Sequence, residues 1–101
     1  MRVYALVADL MDRSRISGAI SGATFVREAS ACADADVVII DLAKSGGEVG
    51  ALRATAPAAK LVGFGPHVDE ESAAAARAAG ADVVLPRSRF FHDPAAAITA
   101  E

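Results

Sequence analysis

Four short apolar runs divide the chain, and each of them is continuous rather than alternating with polar residues. They cover residues 3–8, 37–40, 61–65 and 83–85, and a weaker run covers 24–26. Continuous apolar runs of this length are typical of strands that are buried on both faces of a parallel sheet. We therefore expect five strands.

The segments between these runs have helical character. We expect helices over 12–20, 28–35, 47–56 and 69–79, and a last helix that begins at 93–94. The clearest is 69–79, because Asp69 suits its N-cap and Gly80 suits the position after its end. The regular alternation of strands and helices predicts one compact α/β domain over residues 1–101, with a doubly wound, five-stranded parallel sheet.

Two aspartates end two of the predicted strands. Asp9 follows the run 3–8, and Asp41 follows the run 37–40, directly before a Lys-Ser-Gly-Gly turn at 44–47. In open parallel sheets, ligands bind in the crevice outside the carboxyl ends of the strands. The sequence therefore predicts a polar site that contains Asp9 and Asp41.

Composition excludes several functional classes. The net charge is −3 with no basic cluster, so we expect no nucleic-acid binding. Cys32 is the only cysteine, which excludes a disulfide within the chain and a cysteine-based metal site. No apolar run approaches the roughly eighteen residues of a membrane span, and the first residues read as a strand rather than a secretory signal. We expect a cytoplasmic protein that does not contact membranes.

The chain resembles the receiver domains of two-component response regulators, which have the CheY-like, flavodoxin-like fold. The resemblance covers nearly the whole chain and is carried by residues 6–9, 36–42, 69–71 and 78–85. The Ala-Gly-Ala-Asp turn at 79–82 is its most specific part. The resemblance implies a sheet with strand order 2-1-3-4-5.

Receivers of this family use two acidic residues after the first strand, a phosphoacceptor aspartate after the third, a hydroxyl after the fourth and a lysine after the fifth. The resemblance places Asp41 at the phosphoacceptor position and Asp9 at the second acidic position. The first acidic position is Ala8, the hydroxyl position is Gly65 and the lysine position is Arg87. The phosphorylation site is therefore degenerate in this interpretation.

The remaining polar residues predict at best a weak Mg²⁺ site. Mg²⁺ needs several oxygen ligands, and only Asp9 and Asp41 clearly converge. Arg87 keeps the positive charge of the usual lysine, but its planar fork is not equivalent to an ammonium group. Asp12 and Ser88 are candidates to support the site. Alternatively, Asp9 caps the first helix, and Asp41 forms an ion pair with Arg87 across the top of the sheet.

The leading hypothesis is a stand-alone pseudo-receiver, a non-enzymatic signalling or interaction module that no output domain follows. We expect it to contact a protein partner or a second copy through the face of the fourth helix, fifth strand and fifth helix. Arg89, Phe90 and Phe91 lie on that face, and one of the two rings is the expected anchor.

Two alternatives stay open. The first is a working single-domain receiver that is phosphorylated on Asp41. The second is a small ligand-binding or enzymatic α/β domain that uses Asp9, Asp41, His67 and Arg87. The lack of a nucleophile–base pair argues against the second. The role of His67 is open, and an exposed loop position is the simpler interpretation.

Overall fold

The computed structural model describes residues 1–66 and 69–99. Within these residues the strands are β1 Val3–Leu6, β2 Thr24–Phe25, β3 Val37–Asp41, β4 Lys60–Gly65 and β5 Val83–Pro86. The α-helices are α1 Leu10–Ala19, α2 Leu42–Ser45, α3 Val49–Thr55, α4 Glu70–Ala79, α5 Arg87–His92 and α6 Pro94–Thr99. Two short 3₁₀ turns lie at Ala29–Cys32 and Gly46–Glu48.

The five strands form one parallel sheet in the order β2-β1-β3-β4-β5. This confirms the predicted doubly wound, flavodoxin-like architecture. Leu6 of β1 pairs with Ile40 of β3, and Ile40 pairs with Gly63 of β4. The carboxyl ends of these central strands therefore lie side by side, at the edge of the sheet where the sequence predicts the site.

The sheet is buried on both faces, as the continuous apolar runs predict. Val38 and Ile40 of β3 belong to a core layer on one face, together with residues of α3 and α4. Val37 and Ile39 belong to the opposite layer, with residues of α1, α5 and α6. Alternate residues of β3 thus fill two separate cores, which is why this strand carries no polar residue before its last position.

Two local predictions are wrong, and one helix was not expected. The segment 28–35 forms only the four-residue turn Ala29–Cys32. Glu28 before it is extended, and Asp34 after it accepts a hydrogen bond from Tyr4. The expected turn at 44–47 lies partly in α2, which begins directly after β3 because the Asp41 side chain caps it. The helix α5, which contains Phe90 and His92, is not among the helices expected from the sequence.

A cluster of hydrogen bonds around Arg53 braces the end of the sheet opposite the predicted site. Its guanidinium donates to the carbonyl oxygens of Ala59 and Gly80 and to the carboxylate of Asp82. Gly80 has a φ of +128°, and a Cβ there would lie 2.7 Å from the Arg53 Cβ. The turn between α4 and β5 therefore needs a glycine at this position.

No helix in 1–66 or 69–99 has the length and the apolar composition of a membrane span. His67, whose role the sequence leaves open, lies outside the described residues.

Candidate functional site

Asp41 is the last residue of β3 and is almost fully buried, with 4% of its surface exposed. Its Oδ1 accepts a hydrogen bond of 3.0 Å from the backbone N–H of Ala43. This contact caps α2 and turns one carboxylate oxygen towards the helix. Asp41 thus lies where the sequence predicts it, with part of its hydrogen-bonding capacity used locally.

Asp9 caps α1 in the same way. Its Oδ1 accepts a hydrogen bond of 3.0 Å from the backbone N–H of Asp12. This confirms the interpretation of Asp9 as a helix cap. The residue is half-buried and lines the same cavity as Asp41.

Asp12 and Arg87 form a bidentate ion pair at this edge of the sheet. The two terminal nitrogens of Arg87 donate to the two carboxylate oxygens of Asp12 at 2.8 and 2.7 Å. The Asp12 side chain is 6% exposed and that of Arg87 is 36% exposed. Hydrogen bonding from Arg87 lowers the pKa of Asp12, although burial alone would raise it. The same hydrogen bonding raises the pKa of Arg87.

The predicted ion pair between Arg87 and Asp41 is therefore wrong. Arg87 is the first residue of α5, and its fork faces the first turn of α1, where both oxygens of Asp12 are available. A guanidinium fits such a two-oxygen acceptor better than the partly engaged carboxylate of Asp41. Asp41 acts on Arg87 only through its charge, which raises the pKa of Arg87 less than Asp12 does.

A cavity of about 330 Å³ opens between these residues. Its lining consists of Asp9, Met11, Asp12, Arg15, Asp41, Ala43, Lys44, Pro66 and Arg87. Three acidic and three basic side chains balance one another formally. Sequence reasoning missed Arg15 and Lys44, although each lies three residues after an aspartate of the site.

The rings of Phe64 and Phe91 pack against the Arg87 guanidinium of this ion pair. The Arg87 guanidinium lies 5.5 Å from the ring centroid of Phe64 and 5.0 Å from that of Phe91. Arg15 lies 5.6 Å from the Phe91 centroid. Arginine over an aromatic face at these distances is attracted to it. The rings therefore give Arg87 further contacts in addition to its bonds to Asp12.

Phe90 is fully buried and stacks on Phe64, with the centroids 4.9 Å apart. It cannot anchor a partner on the surface, and this part of the predicted interface is wrong. Phe91 is half-buried and Arg89 is exposed, so these two residues remain accessible on α5.

Comparison with solved structures identifies the architecture. A response regulator from Burkholderia pseudomallei, whose crystal structure contains a phosphorylated aspartic acid, a calcium ion and citrate, superposes with a TM-score of 0.76. It is 16% identical, over 99% of this chain and 68% of the other. A response regulator from Thermotoga maritima gives a TM-score of 0.67 and 15% identity, over 85% of this chain and 83% of the other.

The chain has the receiver fold. No protein-family model and no curated protein matches the sequence. The identity to the two response regulators is low, so the likeness concerns the fold.

Two residues at this edge of the sheet have no polar side chain. Ala8 supplies no carboxylate, and Gly65, at the buried end of β4, supplies no hydroxyl. Within residues 1–66 and 69–99, no three His, Cys, Asp or Glu side chains are arranged to hold a metal ion. Both oxygens of Asp12 are bonded to Arg87. The residues present therefore do not fit a Mg²⁺ site. Ser88, which the sequence offers as a supporting residue, is exposed and follows Arg87, which lines the cavity.

Proposed function

We propose that this chain is a pseudo-receiver, a non-enzymatic signalling module that works through protein contacts and not through phosphorylation of Asp41. The observation that carries the proposal is the Asp12–Arg87 pair. In the receiver pattern that the resemblance implies, the cation after the fifth strand holds the phosphoryl oxygens. Here both terminal nitrogens of that cation bond to a carboxylate of the chain itself.

The carboxylates support the same conclusion. Transfer of a phosphoryl group to Asp41 brings further negative charge beside Asp9 and Asp12, and a divalent cation normally offsets such charge. Asp9 caps α1 and Asp12 is paired with Arg87, so neither presents a free pair of oxygens to a metal. Phosphorylation of Asp41 is therefore disfavoured by charge as well as by the missing hydroxyl.

A working receiver phosphorylated on Asp41 is the second candidate. Asp41 lines a cavity that also contains Arg15, Lys44 and Arg87, and these cations favour an anion at that place. The residue also ends β3 in a sheet of the receiver order. The two candidates differ in one measurable property, which is whether Asp41 responds to a phosphodonor.

Amide NMR spectra recorded with Mg²⁺ and beryllofluoride test the proposal. Beryllofluoride imitates a phosphoryl group on a carboxylate, and Asp41→Asn removes that carboxylate with little change in shape. We expect no saturable shifts in the wild-type protein at residues 41–44 and 87. A saturable response that Asp41→Asn abolishes would show that the site works and would reject the pseudo-receiver.

A positive control comes from restoring the missing groups. The double variant Ala8→Asp with Arg87→Lys returns one carboxylate and a lysine to the receiver positions. Ala8 is exposed, so the added carboxylate needs no space in the core. We expect this variant to respond to beryllofluoride more strongly than the wild type does, and to lose the response with Asp41→Asn.

A further inference from the structure

The cavity beside Asp41 has the chemistry of an oxyanion site whose main cation is already occupied. A guanidinium fork matches a carboxylate and a phosphate equally well, with two parallel hydrogen bonds to each. Arg87 makes both of these bonds to Asp12. Asp12 therefore stands where the oxygens of a bound phosphate would otherwise stand.

We propose that Asp12 is an internal anion that closes a phosphate site formed by Arg87, Arg15 and Lys44, and that neutralising Asp12 opens this site. The inference rests on the proposed function, because it explains why the receiver-like site would not respond to a phosphodonor. It also assigns a role to Arg15 and Lys44.

The charges around the cavity support the inference. Arg15 and Lys44 lie close enough for their charges to lower the pKa of Asp12, as Arg87 does. The three cations are balanced by Asp9, Asp12 and Asp41 in the wild-type cavity. When Asp12 becomes neutral, the lining carries one net positive charge. Arg87 then loses the carboxylate that accepts both of its bonds, while Asp9 and Asp41 stay in the lining.

Arg87 is positioned to remain in the cavity after such a change. Its guanidinium lies against the rings of Phe64 and Phe91, and its backbone begins α5 directly after β5. The cavity of about 330 Å³ is large enough for inorganic phosphate. Loss of the Asp12 charge therefore leaves a formed cationic site rather than a displaced side chain.

The pair also connects two helices that are far apart in sequence. Asp12 lies in the first turn of α1 and Arg87 begins α5, 75 residues later. Because the chain supplies the anion itself, α1 and α5 are linked in the absence of any ligand.

Titration with inorganic phosphate, followed by amide NMR without metal or phosphodonor, tests the inference. We expect Asp12→Asn to bind phosphate at least about tenfold more tightly than the wild type does, because phosphate no longer has to displace a carboxylate from Arg87. The shifts should centre on residues 12–15, 41–44 and 87. Adding Arg87→Gln to Asp12→Asn should remove the gain.

Asp9→Asn is the matched control. It changes the net charge by the same amount and keeps a good helix cap, but leaves the Asp12–Arg87 pair intact. We expect its affinity to stay within about twofold of the wild type. Equal gains in Asp9→Asn and Asp12→Asn would overturn the inference, as would a folded Asp12→Asn that binds no more tightly than the wild type. If Asp12→Asn does not fold, the smaller Asp12→Ser takes its place.

The two experiments fail independently. Phosphate titration involves no bond to Asp41, so its outcome concerns Asp12 alone. A wild-type response to beryllofluoride would reject the pseudo-receiver even if Asp12→Asn opens a phosphate site. Conversely, the wild type could fail to respond to beryllofluoride while Asp12→Asn binds phosphate no more tightly than the wild type. That result would be consistent with the proposed function but would overturn the role of Asp12 as an internal anion.

Discussion

Truncation of Phe90 to alanine should cost more stability than any other single change on α5. The ring is fully buried, stacks on Phe64 at 4.9 Å and meets Phe91 edge-on at 4.9 Å. Phe→Ala substitutions in cores cost about 3–5 kcal/mol, and each aromatic pair contributes about 0.5–1.5 kcal/mol beyond area burial. We therefore expect a loss of about 4–5 kcal/mol.

The assay is urea unfolding followed by far-ultraviolet circular dichroism. Domains of this size are stable by about 5–15 kcal/mol, so Phe90→Ala brings the protein close to unfolding. Phe90→Leu, which refills part of the space, gives a measurable value of about 1–2 kcal/mol if the alanine variant does not fold. Phe91→Ala is the matched control on the same helix.

Because Phe91 is only half-buried, its truncation should cost about 1–2 kcal/mol. A smaller loss for Phe90→Ala than for Phe91→Ala would refute this reasoning. The same holds if light scattering shows that Phe90→Ala changes the assembly state and leaves stability intact. In that case the ring would be a surface anchor rather than a core residue.

Three further predictions concern acid, the turn before β5 and the partner face. Arg87 lowers the pKa of Asp12 in the folded protein, so the pair stabilises the fold at pH values above about 3.9, the pKa of an aspartate in the unfolded chain. This stabilisation is lost as the pH falls through the lower pKa of Asp12 in the folded protein. Urea midpoints should therefore drop more for the wild type than for Asp12→Asn between about pH 6 and about pH 3; parallel curves would contradict this. Gly80→Ala should cost about 1–3 kcal/mol in urea unfolding because of its positive φ and the clash with Arg53, whereas Gly50→Ala, with open space around it in α3, should be neutral or stabilising; equal effects would show that the turn tolerates a side chain. If the face of α4, β5 and α5 is the contact surface, Arg89→Glu should shift the assembly state in light scattering without changing the urea midpoint, and an unchanged assembly state in an associating wild type would place the contact elsewhere.

The strands were predictable because the sheet has two buried faces. The middle positions of the central strands β3 and β4 are apolar, and this pattern can be recognised in the sequence without knowing which strands are neighbours. The short helices α2 and α5 were not predictable in this way. Each begins directly at a strand end, and the Phe90–Phe91 pair of α5 has a strand-like composition.

Only the site residues that directly follow strands were predictable from the sequence. Parallel strands place Asp9 and Asp41 at one edge of the sheet, and the structure has them lining one cavity. The partner of Arg87 depends instead on how α1 is rotated against α5. That rotation follows from packing of the core beneath them, so the choice of Asp12 over Asp41 left no local signal in the sequence.

The outer strands of the sheet are short, and this limits how the protein can aggregate. β2 contributes only two residues, and β5 has four and ends in Pro86, which has no N–H to donate. Long, unpaired strand edges are the usual starting points for intermolecular β-structure, and these edges give little room for one. We therefore expect the protein to resist growth into fibrils through strand addition, even when it is concentrated.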